Sequence, residues 1–157
     1  MMNERYYHQM SSPIGPLTLV EADGRLVGLD FGESEHASQT TLFLLEAKAQ
    51  LTQYFTGERR DFDLPLEVEG TPFQLQAWEA LRQIPYAEVR TYAQQAEMLG
   101  DANKTRAVGG ANNKNPIPII IPCHRVIGSK GSLGGYQPGV DKKEWLLNLE
   151  QDVWRNR

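Results

Sequence analysis

The stretch "TYAQQAEMLGDANKTRAVGGANNKNP", residues 91–116, decides the fold of the second half of the chain. Its first threonine and the glutamine three residues later have the spacing of a helix capping box. That helix ends at Gly100, and a second one begins near Asp101 or Asn103. The second helix must end before Pro116, because the residue before a proline is pushed out of the α region. Two short helices joined at a glycine predict a helix-turn-helix.

The second of these helices is rich in small residues. Gly109 and Gly110 each cost about 1 kcal/mol of helix stability relative to alanine, a cost that is tolerated where another surface comes close to the backbone. Few long polar side chains are available to read base edges, so we expect contacts with DNA shape and little sequence preference. The same small residues would also permit tight packing on a neighbouring helix, and the sequence leaves both interpretations open.

The flanking segments extend this pattern in both directions. Upstream, "TPFQ" at residues 71–74 has the threonine, proline and glutamine of a helix start, and an apolar stripe follows it. Downstream, "PIPIIIPCHRV" at residues 116–126 is apolar, but its prolines remove backbone donors. We therefore expect a buried, extended connector that holds Cys123 stiffly.

Cys123, the only cysteine of the chain, is followed directly by His124 and Arg125. A lone cysteine is most often a small buried apolar residue. An adjacent base and cation, however, raise the thiolate fraction of a group whose free pKa is about 8.5. Successive side chains point in different directions, so His124 is expected to reach the sulfur through a bridging water. The segment predicts an activated nucleophile.

An acid that orients His124 is expected from the last predicted helix, "DKKEWLLNLE" at residues 141–150. Glu150 lies four residues after Leu146 and can share its core-facing side, where a carboxylate needs a partner. Two alternatives stay open. Glu150 could be a surface acid near the end of the chain, or the three residues could form a cysteine–histidine hydrolase.

The first third of the chain predicts an α/β unit. "PLTLVEADGRLVGLDF", residues 16–31, has two apolar runs around an Asp-Gly pair, which is a strong hairpin signal. "SQTTLFLLEAKAQLTQYFTG", residues 38–57, predicts a helix closed by its final glycine. Its predicted apolar stripe is Leu42, Leu45, Ala49 and Tyr54. "ERRDFDLPLEVEG", residues 58–70, predicts a strand and a linker. The domain boundary falls near residues 64 to 70, which gives domains 1–68 and 69–157.

Charge is distributed unevenly along the chain. Residues 1–70 have 5 Lys/Arg against 12 Asp/Glu, a net charge of −7, whereas residues 71–157 have 11 against 8, a net charge of +3. No acid lies between Asp101 and Asp141, although five bases do. An acidic front half and a basic stretch behind it are typical of an anion-binding face, and an uneven solvated surface is the alternative.

Several classes of protein are excluded by composition. No apolar run approaches the roughly 20 residues of a membrane helix, and the N-terminal segment lacks the apolar region of a secretory signal. A single cysteine forms no internal disulfide, so a reducing compartment is expected. Three dispersed histidines and one cysteine predict no zinc site.

Three segments together resemble one family. "RAVGGANNKNPIPIIIP", "PCHRV" and "GGYQPGVDKKEWLLNLE" are similar to the O6-alkylguanine-DNA alkyltransferases, which move an alkyl group from a damaged base to their own cysteine. The match is dense from Thr71 to Glu150 and loose before it. It implies a ribonuclease-H-like N-terminal domain, with a small antiparallel sheet plus a helix. A mostly α C-terminal domain with a winged-helix-like helix-turn-helix would follow.

The resemblance implies a role for each matching residue of the reaction centre. Cys123 would be the alkyl acceptor, deprotonated through water by His124, which Glu150 orients. Tyr92 would donate a proton or hydrogen bond to the leaving guanine and help rotate the target nucleotide. Asn115 would be the hinge that ties the helix-turn-helix to the active-site segment.

The resemblance also implies how DNA is held. Arg106 would fill the gap that an extruded nucleotide leaves in the base stack. Ala107 and Gly109 would let the helix approach the minor groove closely. Thr71 and Lys104 complete the implied DNA-binding set.

The implied pocket for the extruded base is lined by Tyr136, Pro118 and the carbonyl of Val126. Gln137 lies where relatives often have a small residue, so the size of alkyl group that fits is open. The implied substrate is double-stranded DNA alkylated at O6 of guanine, and at O4 of thymine. No cofactor is implied, and the cysteines of a zinc-binding N-terminal domain are missing.

The implied protein acts once, as a monomer able to assemble cooperatively on DNA, in the cytoplasm at the nucleoid. The rival from a different class is an alkyltransferase-like protein that binds damaged bases without repairing them. Such proteins lack the acceptor cysteine, so Cys123 argues against this rival.

Overall fold

The computed structural model describes residues 4–156. Three residues of the N-terminal segment, in which no secretory signal was expected, and the last residue of the predicted C-terminal domain lie outside this range. The chain divides into two units, Met1–Val68 and Glu69–Arg157.

The N-terminal unit contains a three-stranded antiparallel sheet. Its strands are β1 (Arg5–Met10), β2 (Leu17–Ala22) and β3 (Arg25–Phe31), in that spatial order. Asp23 and Gly24 join β2 to β3 with φ of 51° and 72°, as a two-residue hairpin turn with a right-handed strand twist requires. The predicted hairpin is therefore confirmed. The sequence analysis did not identify β1, whose residues are mostly polar.

The helix of this unit, α1 (Leu42–Phe55), is confirmed, but its predicted apolar stripe is wrong except for Tyr54. Thr41 caps its start by accepting a hydrogen bond from the amide of Leu44. Tyr54 is buried together with residues that were not predicted: Leu44, Ala47, Gln50, Leu51 and Phe55. Leu42 is 88% exposed and Leu45 is 43% exposed. The helix has apolar residues on two faces, so helical spacing by itself does not select the buried one.

The strand predicted within residues 58–70 is reduced to one bridge between Leu66 and Leu26 of β3. The amide of Leu26 donates to the carbonyl of Pro65 at 2.9 Å, and the amide of Glu67 donates to the carbonyl of Leu26 at 3.0 Å. Pro65 has no amide hydrogen, which limits a longer ladder at this point.

The C-terminal unit begins with three short helices, α2 (Pro72–Arg82), α3 (Tyr92–Met98) and α4 (Thr105–Asn113). Both predicted capping boxes are present, at the starts of α2 and α3. The three helices enclose a small apolar core formed by Ala77, Ala96, Val108 and Ala111. The helix-turn-helix is α3 followed by α4, as predicted.

Two further elements bring the reactive segment to these helices. β4 (Arg90–Thr91) pairs in parallel with β5 (Val126–Ile127), so the start of α3 lies beside the residues that follow Cys123. The last helix, α5 (Val140–Asn156), begins before the predicted start at residue 141 and directs one face inward. That face consists of Lys143, Leu146, Glu150 and Val153. Among the described residues, no helix combines the length and the apolar content needed to cross a membrane.

Candidate active site

Cys123 opens a single 3-10 turn, Cys123–Arg125, and its side chain is buried. Burial raises the pKa of the thiol to about 11, while a side-chain hydrogen bond from Asn115 and the charge of Lys143 oppose this rise. The adjacent His124 and Arg125 were expected to favour the thiolate. The surroundings have the opposite net effect on the pKa because burial dominates, and Arg125 pairs with Glu150 instead.

His124 and Glu150 meet inside the C-terminal unit. His124 Nε2 lies 2.7 Å from Glu150 Oε2, and both side chains are almost fully buried. Burial by itself would raise the pKa of Glu150, but the hydrogen bond from His124 together with the charge and hydrogen bonds of Arg125 holds it well below its usual range. Glu150 is therefore ionised and accepts hydrogen bonds only. The surface-acid alternative for Glu150 is wrong, because the residue is buried.

The ionised carboxylate fixes the tautomer of His124. Because Glu150 only accepts, Nε2 bears the hydrogen that it receives, and the lone pair of a neutral imidazole lies on Nδ1. Burial lowers the pKa of His124, although the charge of Glu150 works against this. Nδ1 is buried and has no hydrogen-bond partner within residues 4–156. The imidazole is thus a neutral base with its accepting atom unused.

Lys143 is a component of the site that the sequence analysis missed. Its side chain is fully buried, and Nζ donates to the carbonyl of Val126 at 2.6 Å and to that of Gly135 at 3.1 Å. Burial lowers the pKa of Lys143 to about 8, and the nearby Cys123 partly offsets this. A signal for it was available: Lys143 is three residues before Leu146 and seven before Glu150, on the same face of α5.

Tyr92 contacts the same loop as Lys143, the glycine-rich residues 128–139 between β5 and α5. Its hydroxyl donates to the carbonyl of Gly135 at 3.4 Å, and Lys143 Nζ is 5.7 Å from the centre of its ring. Burial raises the pKa of Tyr92, so the phenol is protonated at neutral pH. Gly134 has φ of +74°, and a Cβ there would lie 2.8 Å from the Tyr92 hydroxyl. Any larger residue at this position would collide with the Tyr92 ring.

The predicted connector to Cys123 is buried but not extended. The amide of Ile121 donates to the carbonyl of Ile117 at 2.9 Å, which folds the segment into a tight turn. Asn115 braces this turn, donating to the carbonyl of Ile121 at 2.7 Å and accepting from the amide of Ile117 at 3.0 Å. Ile119 has φ of 76°, which costs a β-branched residue about 1–3 kcal/mol. The braces around it hold this strained conformation.

The proposed pocket residues do not all lie at the same depth. Tyr136, Pro118 and Val126 are buried, whereas Gln137 is exposed. The carbonyl of Val126 already accepts from Lys143, so a base edge would have to use its second lone pair. Burial raises the pKa of Tyr136 well above its usual value, and Cys123 adds to this.

The small residues of α4 are divided between two faces. Ala111 and Val108 pack inward, and the carbonyl of Ala111 accepts from Trp78 Nε1 at 2.9 Å. Ala107 and Gly110 are exposed, so tight packing accounts for only some of the small residues of this helix. Gly109 is half-buried, and a Cβ there would lie 3.9 Å from the Tyr92 ring.

Gly110 was not among the predicted DNA-binding residues, but its backbone is more open than that of the predicted Gly109. Apart from its chain neighbours and the backbone of its own helix, no described atom would lie within 4 Å of a Cβ at this residue. A helical spacing of four residues places it on the same exposed side of α4 as Arg106.

The remaining residues of the predicted DNA-binding set are all exposed. Arg106 is exposed on α4, and Lys104 is exposed in the turn before it, with Nζ 5.3 Å from the centre of the Phe73 ring. Thr71 is exposed, but its hydroxyl accepts from the amide of Gln74 as the cap of α2. No group of three or more metal-binding side chains occurs within residues 4–156.

Both halves of the chain match a described family. Residues 72–152 match the DNA binding domain of 6-O-methylguanine DNA methyltransferase, and residues 5–68 match its ribonuclease-like domain. These matches confirm the fold predicted from the resemblance: a ribonuclease-like α/β unit and a mostly helical DNA-binding unit.

Known proteins are similar to this chain over nearly the whole of both lengths. The chain is 48% identical over 157 residues to the methylated-DNA–protein-cysteine methyltransferase of Methanosarcina barkeri, with 96% of this chain and 99% of the relative covered. The constitutive enzyme of that name from Bacillus subtilis is 40% identical over 163 residues, with 97% and 99% covered. The crystal structure of Mycobacterium tuberculosis OGT in complex with DNA is similar with a TM-score of 0.88 and 43% identity, covering 94% of each chain. The chain therefore belongs to the 6-O-methylguanine DNA methyltransferase family.

Proposed function

We propose that this protein repairs DNA by moving a methyl or larger alkyl group from O6 of guanine to the sulfur of Cys123. The observation that carries the assignment is that Cys123 is the only cysteine in the chain, and it lies in the same buried cluster as a histidine–glutamate pair. A family defined by transfer to a protein cysteine leaves this chain no other acceptor.

His124 supplies the base that the buried thiol requires. A thiol with a pKa of about 11 is almost wholly protonated at neutral pH. His124 and Cys123 are adjacent in sequence, so their side chains diverge and a water bridges the thiol to Nδ1. Glu150 holds the imidazole by Nε2 and stabilises the imidazolium that forms when the proton arrives.

Lys143 and Asn115 stabilise the resulting thiolate. Lys143 brings a positive charge close to the sulfur, and Asn115 donates a hydrogen bond to it. Both effects favour the charged form of the thiol. These groups act before any substrate bond is broken, so their contribution is to the supply of nucleophile.

Tyr92 assists the departure of guanine. The sulfur attacks the alkyl carbon in line, the new S–C bond forms, and the O6–C bond breaks with its electron pair leaving on the base. Tyr92, held protonated, donates a hydrogen bond or its proton to that base. Lys143, which shares the Gly135 acceptor with Tyr92, is placed to stabilise a phenolate.

The exposed side of α4 meets the DNA. The target oxygen is inside the duplex, so the nucleotide must be extruded at a cost of a few kcal/mol. Arg106 recovers part of this cost by occupying the vacated space. Ala107 and Gly110 leave the backbone of α4 open to a close approach along the minor groove, while Lys104 and Thr71 contact the sugar–phosphate backbone at its edge.

The extruded base occupies the pocket formed by Tyr136, Pro118 and Val126. O4-alkylthymine presents a similar alkyl carbon and is a second substrate, and exposed Gln137 sets the room for larger groups. The product is a thioether that no group of this site can cleave, so each molecule acts once. The chain needs no cofactor for this chemistry, works as a monomer that can line up along DNA, and acts at the nucleoid in the cytoplasm.

Intact-protein mass spectrometry tests the proposal directly. Mixing the protein with an equimolar duplex containing one O6-methylguanine is expected to add one CH2 unit, and peptide mapping is expected to place it on Cys123. Cys123→Ser is expected to bind the duplex and gain no mass. An unchanged mass in the wild type would favour a protein that only binds lesions, and turnover of ester or peptide substrates would favour a hydrolase. Repair of many lesions per molecule would exclude a single-use acceptor.

A further inference from the structure

Arg125 contacts the active-site acid more extensively than His124 does, and the mechanism above gives it no role. Glu150 Oε1 accepts from Arg125 Nε at 2.9 Å and from the amide of Ala87 at 3.1 Å. Glu150 Oε2 accepts from His124 Nε2 at 2.7 Å and from Arg125 Nη2 at 3.1 Å. The third arm of Arg125, Nη1, donates to the carbonyl of Ile84 at 2.7 Å. One buried carboxylate is thus shared between two basic side chains.

We infer that Arg125 is a positioning residue that keeps the imidazole of His124 neutral by balancing the charge of Glu150. A buried carboxylate paired with a histidine alone stabilises the imidazolium, because the two opposite charges attract. Here the guanidinium, which is always protonated, already compensates Glu150. A proton on His124 would create a second positive charge in the same buried cluster. The imidazole therefore stays available as a base until the thiol gives up its proton.

The other charged groups around His124 either favour or disfavour its imidazolium form, and each has a known position. From α5, Glu150 favours the imidazolium and Lys143 disfavours it, and within its own turn Arg125 disfavours it. Burial is the largest factor that disfavours the imidazolium, and Arg125 acts in addition to it, against the attraction of Glu150. Cys123, the remaining titratable neighbour, is uncharged as a thiol. Of the two opposing cations, only Arg125 is hydrogen-bonded to the carboxylate that holds His124.

A purely structural role for Arg125 makes a different prediction. The residue also fastens the segment between Ile84 and Ala87 to α5, so its loss would lower stability under either interpretation. A structural role leaves the protonation of His124 unchanged in the folded protein. The inferred role requires the titration of His124 to move when the charge is removed, even if the fold is intact.

Imidazole titration by NMR separates these two roles without any measurement of repair. The chain has three histidines, so His8 and His36 in the N-terminal unit serve as internal references. In Arg125→Met, the His124 midpoint is expected to rise by about one pH unit or more relative to the wild type. In Arg125→Lys, which keeps the charge, it is expected to stay near the wild-type value. Arg90→Met removes a partly exposed arginine of the same unit, which pairs with Glu88 and not with Glu150, and is expected to leave the His124 midpoint unchanged.

Three outcomes would overturn the inference. These are an unchanged His124 midpoint in folded Arg125→Met, a lowered midpoint in that variant, or Lys and Met variants that shift equally. Should Arg125→Met fail to fold, Arg125→Gln keeps an amide donor without the charge and gives the same comparison.

A second measurement rests on the proposed function. If the NMR midpoint shifts as expected but the rate profile does not, the inference on Arg125 holds and His124 is not the base. In Arg125→Met, the acid limb of the pH profile for single-turnover methyl transfer is expected to move to higher pH, in step with the NMR midpoint.

Discussion

At the scale of single residues, the chemistry depends on how the charges in one buried cluster are paired. Glu150 is paired with Arg125, which leaves His124 neutral, and Lys143 is the cation whose charge favours the thiolate of Cys123. Burial raises the pKa of Cys123 and lowers the pKa of both His124 and Lys143. Desolvation disfavours the charged form of each group, so the thiolate forms only with help from these partners.

Replacing Lys143 by Met tests whether its charge supports the thiolate of Cys123. Lys143 is charged below its pKa of about 8 and neutral above it. If its charge supports the thiolate, the wild type is expected to react faster than Lys143→Met at neutral pH, about tenfold for each pKa unit that the charge removes from Cys123. The ratio of the two rates is expected to fall towards one as the pH rises through about 8.

Single-turnover methyl transfer over a pH series measures that ratio. Lys142→Met, the neighbouring lysine, is the matched control and is expected to behave as the wild type at every pH. A wild-type to Lys143→Met ratio that does not change with pH would contradict a role for this charge.

At the scale of secondary-structure elements, the helix-turn-helix is held by a buried amide pair as well as by its apolar core. Gln95 of α3 and Asn112 of α4 exchange two hydrogen bonds, at 2.9 Å and 2.8 Å. Gln95 also donates to the carbonyl of Ala77 in α2 at 3.2 Å. This pair links the helix that starts with Tyr92 to the helix that exposes Arg106.

A double-mutant cycle on this pair gives the element-scale prediction. Gln95→Leu alone leaves the buried Asn112 amide without its partner, which is expected to cost about 1–3 kcal/mol of unfolding free energy. Asn112→Leu alone is expected to cost a similar amount. The double variant is expected to be more stable than the sum of the single changes predicts, because no amide is left unpaired.

Urea denaturation measures these free energies. Gln94→Ala, at the exposed capping box of α3, is a control for helix stability without the buried pair. Additive effects of the two leucine substitutions would show that the amides do not act as a unit.

At the scale of the whole molecule, only the part of the chain that contains the helix-turn-helix has a net positive charge. Residues 1–70 have a net charge of −7 and residues 71–157 a net charge of +3. Binding to DNA is expected to depend on salt through a small number of contacts, because each phosphate that is neutralised adds about −0.9 to the slope of log affinity against log salt.

Single lysine and arginine substitutions separate phosphate contacts from insertion into the base stack. Lys104→Ala is expected to reduce the magnitude of the salt slope by about one. Arg106→Ala is expected to lower affinity for lesion-containing duplex and slow methyl transfer, with a smaller change of slope because its side chain fills the stack. Lys48→Ala, in the N-terminal unit, is the control and is expected to leave the slope unchanged.

Fluorescence anisotropy of a labelled duplex at several salt concentrations gives these slopes. Equal slopes for the wild type and Lys104→Ala would remove this residue from the DNA-binding set.

Local patterns were enough to predict much of the fold. The Asp-Gly hairpin, both capping boxes, the end of α1 at a glycine and the helix-turn-helix all follow from residues within a few positions of one another, and all are present. The position of Cys123 next to a histidine drew attention to this segment for the same reason, and the predicted pairing of His124 with Glu150 is present. The buried face of α1 was predicted wrongly because two apolar stripes fit one helix, and only the sheet of the N-terminal unit selects between them.

The sequence by itself determined most of the elements that form, the family that the chain resembles and the single cysteine that we propose as the alkyl acceptor. Only the tertiary structure decided which charges surround the sulfur of that cysteine. Arg125 pairs with Glu150, and Lys143 donates to the carbonyl of Val126. The tertiary structure also decided that the connector to Cys123 folds into a tight turn. The reason is physical. Capping and periodicity act between near neighbours, whereas the pKa of a buried group depends on desolvation and on charges brought from distant parts of the chain.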